Sequence, residues 1–337
     1  MSSENIVYRG LSCIAIIASL ATTAACKKPE LYEYQFIELS NPSECSPMDI
    51  NDLNEVLCGG STNYIYREGD YIPLQSTNEL SPGVLNRFNS MGIAVGYTDF
   101  LAGYPTFYDN GAVTHIDNYG QGTNYFANVN ESGVAVGSIE TAENRMTGFV
   151  FESGEMNIIS GCQNNEDMIV SDINNSDQVL YICWEIPSQR YPTTMVLDRQ
   201  TGLPHYDSGL FGQNAIGYSM NDQRVIVGVL FLQGVEKPFI YYPYAGSVTE
   251  IGGGKGEAHM INNGNQVVGN EYDNNGELFA FIYDEVHDTR DLNTLVKLPE
   301  GYHLQTATAI NDAGNIIGEF TTGNGGGTKG FMLKPLK

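Results

Sequence analysis

Short apolar runs recur along this chain, separated by Asn, Asp and Gly, and that rhythm predicts short β-strands joined by tight turns rather than helices. An apolar residue followed by Asn returns seven times, at Ile50-Asn51, Phe88-Asn89, Val129-Asn130, Ile173-Asn174, Met220-Asn221, Ile261-Asn262 and Ile310-Asn311. Successive Asn residues lie 38, 41, 44, 47, 41 and 49 residues apart. Three residues after each Asn stands a residue tolerant of positive φ, namely Asn54, Gly92, Gly133, Asp177, Asn265 or Gly314, with Arg224 the exception. Two apolar residues come next, as in Val56-Leu57 and Ile316-Ile317, and a Gly follows in five copies, at Gly96, Gly137, Gly228, Gly269 and Gly318. The unit is a strand, a tight turn and a second strand, with Asn folding its side chain onto the local backbone to start the turn. The seven Asn are therefore read as turn residues, not ligand contacts.

Each unit continues into a β-branched and aromatic run, from Tyr64-Ile65-Tyr66 in the first copy to Phe331-Met332-Leu333 in the last. Turns such as Asp109-Asn110-Gly111 lead on to fourth strands around Ile72, Ile116, Ile158, His205, Ile251 and Leu292. Four short strands per forty-odd residues, seven times over, predict an all-β fold: a seven-bladed β-propeller of four-stranded blades. The last copy ends at Lys337, too soon for a fourth strand, while Glu33 to Leu39 read as a strand with nothing upstream to pair with. The N-terminal strand is therefore expected to complete the last blade, which closes the ring and removes two exposed sheet edges.

The repeat resembles the extracellular HAF repeats of bacteria. Ile310-Asn311-Asp312-Ala313-Gly314-Asn315-Ile316-Ile317-Gly318 and the stretch from Ile261 to Gly269 match the family's I-N-D-x-G-x-V-V-G turn. Phe279-Ala280-Phe281 matches its H-A-F strand with Phe for His, and Asp291-Leu292-Asn293-Thr294-Leu295 its D-L-G-T-L ending with Asn for Gly. The resemblance covers nearly all of residues 45–333. It implies export and a propeller, and it brings no assigned reaction or catalytic residues.

The first 25 residues read as an export signal, with Arg9 before an apolar stretch from Leu11 to Ala21 that is too short to span a bilayer. Thr23-Ala24-Ala25-Cys26 resembles the lipobox of bacterial lipoproteins, which implies a lipidated Cys26 at the mature N-terminus. Cleavage by an ordinary signal peptidase, with Cys26 a plain cysteine, stays open. On the first reading residues 1–25 are a signal peptide, 26–32 a lipid-anchored tether and 33–337 the propeller, a protein attached to the envelope membrane by its acyl chains.

Carboxylates outnumber Lys and Arg 40 to 16, a formal charge of −24. Such a surface has no basic face with which to release counterions from phosphates, so nucleic acid is not an expected partner. Cys45, Cys58, Cys162 and Cys183 are an even number in an exported chain and favour disulfides over metal or thiol chemistry. In each repeat, residues well before and well after the Asn lie at the same end of one hairpin. The expected pairs are therefore Cys45 with Cys58 and Cys162 with Cys183.

Signatures of known chemistry are scarce. The five histidines, His115, His205, His259, His287 and His303, occupy different repeat positions and form no ring by symmetry. No G-x-S-x-G elbow or H-E-x-x-H stands in the chain. Glu271, Asp273 and Asn275 alternate oxygen ligands before Gly276 as calcium loops do, a weak candidate for the single cofactor considered. In a blade, the loops from second to third strand and from fourth strand to the next blade share one face, and Val296 to Thr308 read as the longest such insertion. Aromatics in these segments, Tyr104, Trp184, Tyr191 and Tyr302, are the candidate ligand contacts. The reading is an exported, monomeric, lipid-anchored repeat protein that binds an envelope protein or glycan. The alternative is a propeller hydrolase or lyase acting on an extracellular polysaccharide, which a carboxylate cluster with His or Arg at the channel mouth would favour.

Overall fold

The computed structural model describes residues 32–39, 45–60, 62–98, 103–116, 124–162, 166–184, 192–205, 214–323 and 326–336. They form seven four-stranded antiparallel sheets, each an uninterrupted meander except the last, and together they are a seven-bladed β-propeller. A strand β1 (Tyr34–Leu39) precedes the first blade, which holds β2 (Ser46–Ile50), β3 (Val56–Gly59), β4 (Tyr64–Arg67) and β5 (Asp70–Pro73). The second holds β6 (Val84–Phe88), β7 (Ile93–Tyr97), β8 (Pro105–Asp109) and β9 (Ala112–His115), and the third β10 (Tyr125–Val129), β11 (Ala135–Glu140), β12 (Met146–Glu152) and β13 (Glu155–Ile159). The fourth holds β14 (Asp167–Ile173), β15 (Gln178–Trp184), β16 (Thr193–Asp198) and β17 (Leu203–His205), and the fifth β18 (Ala215–Met220), β19 (Ile226–Leu232), β20 (Val235–Tyr242) and β21 (Ser247–Glu250). The sixth holds β22 (Gly256–Ile261), β23 (Val267–Tyr272), β24 (Leu278–Asp284) and β25 (Asp288–Asp291), and the seventh β26 (Tyr302–Ile310), β27 (Ile316–Thr322) and β28 (Gly326–Pro335).

Burial follows position in the blade. Second strands lie between neighbouring sheets on both faces, so β15 is buried from Val179 to Cys183 without alternation. Outer strands cover one face only, and β13 is exposed or half-buried throughout. The predicted fourth strands are present in the first six units, but three end one residue early. Ile116, Ile251 and Leu292 turn inward after β9, β21 and β25 and are buried. Among the described residues no helix is long and apolar enough to cross a membrane.

The ring closes as the sequence implies. β1 pairs antiparallel with β28, from Tyr34 opposite Pro335 to Leu39 opposite Gly330, and so becomes the outer strand of the seventh blade. Leu39 is buried, Phe36 packs edge-on against Phe320, and Arg290 binds Glu33 at 2.8 Å. One expectation needs correction. The stretch from Val296 to Thr308 is not mainly a loop, because β26 starts at Tyr302 and runs nine residues, bulging twice to accommodate its length.

Both expected disulfides are formed, Cys45–Cys58 with a Cα separation of 4.8 Å and Cys162–Cys183 with 5.5 Å. Cys26 lies outside the described residues.

Candidate functional site

The inner strand of every blade carries a β-bulge at the same place. The pairing partner steps from Pro47 to Asp49, Leu85 to Arg87, Phe126 to Asn128, Val170 to Asp172, Gly217 to Ser219, Ala258 to Met260 and Ala307 to Ala309. The skipped residue is always three before the repeat Asn: Met48, Asn86, Ala127, Ser171, Tyr218, His259 or Thr308. A bulge leaves its extra residue unpaired and re-aims its side chain. Here the consequence is concrete, since five of the seven, Met48, Ser171, Tyr218, His259 and Thr308, line one central cavity of about 520 Å³.

The glycine that stands seven residues after the Asn in five of the copies lies against this bulge. At Gly318 an added Cβ would come within 2.0 Å of the Thr306 carbonyl oxygen, which the bulge leans over it, and 2.8 Å from Phe331, whose ring fills the space a side chain would occupy. Gly96, Gly137, Gly228 and Gly269 meet the inner-strand carbonyl in the same way.

The cavity has a mixed lining. Tyr125, Tyr218 and His259 contribute rings, Thr308 and Ser171 hydroxyls, Glu319 a carboxylate, and Arg87 its only Arg or Lys. Burial holds the His259 imidazole below its usual pKa, which leaves it neutral at pH 7, with Nδ1 facing the Ala307 carbonyl oxygen at 3.0 Å. Burial, helped by Glu257, drives the Tyr218 phenol well above the usual tyrosine range.

At the opposite end of the channel, a narrower space of about 150 Å³ is lined by the Asn turns. Each repeat Asn accepts through Oδ1 the backbone N–H four residues on, at 2.9–3.0 Å. The residue three after it takes positive φ in all seven copies, and Arg224 does so too, at 62°. The local turn reading therefore holds for the one copy whose residue type did not announce it. The same side chains also do something the sequence did not show. Each Nδ2 donates to the backbone oxygen of the next repeat Asn, so that seven amides form a closed ring of interblade bonds, from Asn51 to Asn89 at 3.4 Å round to Asn311 and Asn51 at 2.9 Å. The following residue adds a second set of interblade bonds at six boundaries, in which Asp312, for instance, donates its backbone N–H to Asp52 at 2.9 Å.

Two carboxylates sit deeper, two positions before the Asn. Asp49 accepts N–H groups of Ile50 at 2.9 Å and Phe88 of the next blade at 3.0 Å, and burial raises its pKa to about 6. Asp172 accepts from Asn128, Ile173 and Met220, the last at 2.7 Å, and burial raises it as well. Arg87 lies between the two spaces and lines both.

The aromatics chosen from sequence do not meet there. Tyr104 is stacked on His115 in the second blade with centroids 6.0 Å apart, and Trp184 ends β15 in the fourth, 40% exposed. Tyr302 stacks on Phe320 at 4.9 Å and donates its hydroxyl to Glu38 at 3.1 Å. None of the three lines the cavity, and Tyr191 lies outside the described residues. Of the calcium candidates, Glu271 is buried and accepts N–H groups of Gly253, at 2.7 Å, and Gly254. Asp273 accepts the N–H groups of Asn275 and Glu277 at 2.8 and 2.9 Å, while Asn275 donates its amide back to Asp273. Protein N–H groups thus already engage oxygens of Glu271 and Asp273. Among the described residues the one set of three metal-capable side chains is Cys162, Glu166 and Cys183, two of which are joined as a disulfide.

No family model and no curated protein sequence matches the chain. Solved structures do. An oligogalacturonate lyase from Vibrio parahaemolyticus superposes with a TM-score of 0.55 at 12% identity, over 86% of this chain and 89% of that one. An oligogalacturonate lyase in complex with manganese gives 0.54 at 13%, over 87% and 88%. A Mycobacterium tuberculosis puromycin-hydrolyzing peptidase gives 0.52 at 12%, over 89% of this chain, which spans 53% of that longer protein. The likeness is one of fold. At these identities it carries the propeller across and leaves substrate and chemistry behind.

Proposed function

We propose that this protein is an exported, lipid-anchored binding module of the cell envelope that takes its ligand in the 520 Å³ end of the channel. The observation that carries this reading is the recurrence of one bulge in all seven inner strands, which presents five side chains of different chemistry to a single cavity on a rigid ring. A volume in the range of about 300–1,000 Å³ suits a small molecule or one end of a glycan. Binding is favoured over hydrolysis or lysis because the lining of the wide cavity holds a single carboxylate, Glu319, and the buried Asp49 and Asp172 beyond it already hold backbone N–H groups of two blades each.

The anchoring half of the proposal rests on the Thr23-Ala24-Ala25-Cys26 resemblance to a lipobox. Tyr34 pairs with Pro335, whose ring lies 3.5 Å from the position of a Cβ on Gly314, so β1 enters the ring at the Asn-turn face. Cys26 stands eight residues earlier, a span of at most about 30 Å. Two measurements test the proposal. Wild-type protein should partition into detergent and Cys26→Ser should stay in water; equal partition removes the anchor. On an array of envelope glycans and proteins, Ser171→Trp, which fills the cavity, should abolish binding by a folded protein; unchanged binding removes the site.

A further inference from the structure

Arg87 departs from its counterparts. At the same repeat position the other inner strands carry Asp49, Asn128, Asp172, Ser219, Met260 and Ala309, so this is the one cation the bulge register admits. Its Nη1 donates to the backbone oxygens of Asn86 at 2.8 Å and Met48 at 3.5 Å. Among the described residues, Nη2 and Nε donate to no protein acceptor, and no carboxylate comes within ion-pair distance. Asp49 and Asp172 reach it only as longer-range charges, their oxygens being occupied by backbone N–H groups. A half-buried guanidinium with two unused nitrogens beside a cavity is unusual in a chain where carboxylates outnumber Lys and Arg 40 to 16. Two adjacent N–H donors in a plane match a carboxylate, which accepts both at once.

The rest of the lining narrows the ligand. Glu319 offers a carboxylate, Tyr218 and Thr308 keep oxygen lone pairs after donating to Glu257 and to the Ile317 oxygen, and the Tyr125 side chain lines the same space, a set suited to sugar hydroxyls. A simple fatty or aromatic acid would leave those polar groups unmatched, whereas a ring carrying both hydroxyls and one carboxylate uses them. We propose that the wide cavity is a sugar-acid site in which Arg87 receives the carboxylate of a hexuronate, free or at the end of a glycan. The inference rests on the cavity being the ligand seat and goes beyond it in naming the chemical class.

The test is calorimetric titration of the full chain with D-galacturonate and D-glucuronate, each beside its neutral counterpart, D-galactose or D-glucose. A charge-assisted pair should give at least one acid an advantage of about tenfold or more over its neutral sugar, and rising salt should reduce it. Arg87→Gln should remove that advantage while melting as wild type does. If that variant does not fold, the acid-to-neutral comparison in wild type still decides. Equal binding of acid and neutral sugars, an advantage untouched by Arg87→Gln, or no binding of either acid overturns the proposal. Acid and neutral sugars that bind equally and are both lost in Ser171→Trp overturn the acid assignment alone and leave the cavity as the ligand seat. Absence of any ligand sensitive to Ser171→Trp removes the seat itself.

Discussion

The Nδ2 of Asn311 donates to the backbone oxygen of Asn51 at 2.9 Å, across the seam where the last blade meets the first. Chain neighbours they are not, being 260 residues apart, yet the bond repeats the one made at every other blade boundary. Each repeat Asn thus shapes its own turn with the oxygen and holds the next blade with the nitrogen. Removing both functions should cost more than removing one. Asn174→Ala is expected to destabilise by about 2–3 kcal/mol, since buried N–H and C=O groups lose their partner. Asn174→Asp keeps the acceptor and loses the donor, so its N–H partners at Ser176 and Gln178 survive while the Asn221 oxygen does not keep its bond. Urea titration of the two variants checks this; equal stability of Asn174→Ala and wild type would show the ring to be incidental.

Closure by β1 should depend on apolar packing more than on ion pairs. Leu39 is 1% exposed in the core shared with Ile50 and Met332, and Leu39→Ala should cost about 2–5 kcal/mol. The Lys329–Glu38 pair spans the same strand boundary at 2.8 Å but is half in water, so Lys329→Ala should change stability by less than about 1 kcal/mol. Melting curves in which the two variants fall equally would assign closure to charge instead.

The disulfides act within single blades, Cys45–Cys58 in the first and Cys162–Cys183 in the fourth, with separations of 13 and 21 residues. Closing loops of this size should stabilise by about 3 kcal/mol each in the chain-entropy model. Replacing each pair by alanines should therefore give two losses that add, because no residue is shared between them. Non-reducing peptide maps should show the two local pairs and no free thiol at these positions.

Much of this architecture is written locally in the chain. The Asn turn needs only residues within four of one another, as Asn51 with Leu53 and Glu55 shows, and so its sevenfold recurrence and the orphan strand from Glu33 were legible. What escaped depends on register across about forty residues. His259 and Tyr218 look unrelated along the sequence because one repeat position carries Met, Asn, Ala, Ser, Tyr, His and Thr in turn. Counting three back from each Asn would have aligned them, and the Gly seven after the Asn in five copies was a partial signal of the bulge that exposes them. Arg87 was hidden likewise, in a strand that reads only as Val84-Leu85-Asn86-Arg87-Phe88. The aromatics chosen from the variable segments lie apart from the cavity, and Tyr302 has its partners in β27 and β1, at Phe320 and Glu38.

Gly318 tests the link between bulge and glycine. An alanine there would set its Cβ against the Thr306 carbonyl and the Phe331 ring, backbone and packed core that have no room to yield. Gly318→Ala should cost about 3 kcal/mol, the upper part of the range for overpacked cores. At Gly253 the nearest atom to an added Cβ is 3.9 Å away, so Gly253→Ala serves as the control and should change stability by less than about 0.5 kcal/mol. If both alanines are tolerated alike in denaturant titration, the close approach does not explain the repeated glycine.

Asp49 gives the protein a pH dependence whose sign can be worked out. In the unfolded chain an aspartate titrates near pH 4, whereas burial raises Asp49 in the ring to about 6, against the opposing pull of Arg87 and the N–H groups of Phe88 and Ile50. Between those two values the folded state binds more protons than the unfolded one, so stability falls as pH rises through this window. The contribution is fully present below about pH 4 and gone above about pH 6, and a gap of two pKa units is worth about 3 kcal/mol as an upper figure. Asp172 is shifted in the same direction by its own burial and steepens the trend. Other carboxylates titrate in the same range, so the quantity to read is the difference between wild type and Asp49→Asn. Asparagine still accepts one N–H through its oxygen and turns an NH2 toward the other, which lowers stability at every pH but removes the titration. Urea denaturation at about pH 4, 5, 6 and 7 should therefore show wild type losing about 2–3 kcal/mol more than the variant on going from the lowest to the highest. Parallel curves would mean that Asp49 titrates in the folded ring as it does in the unfolded chain.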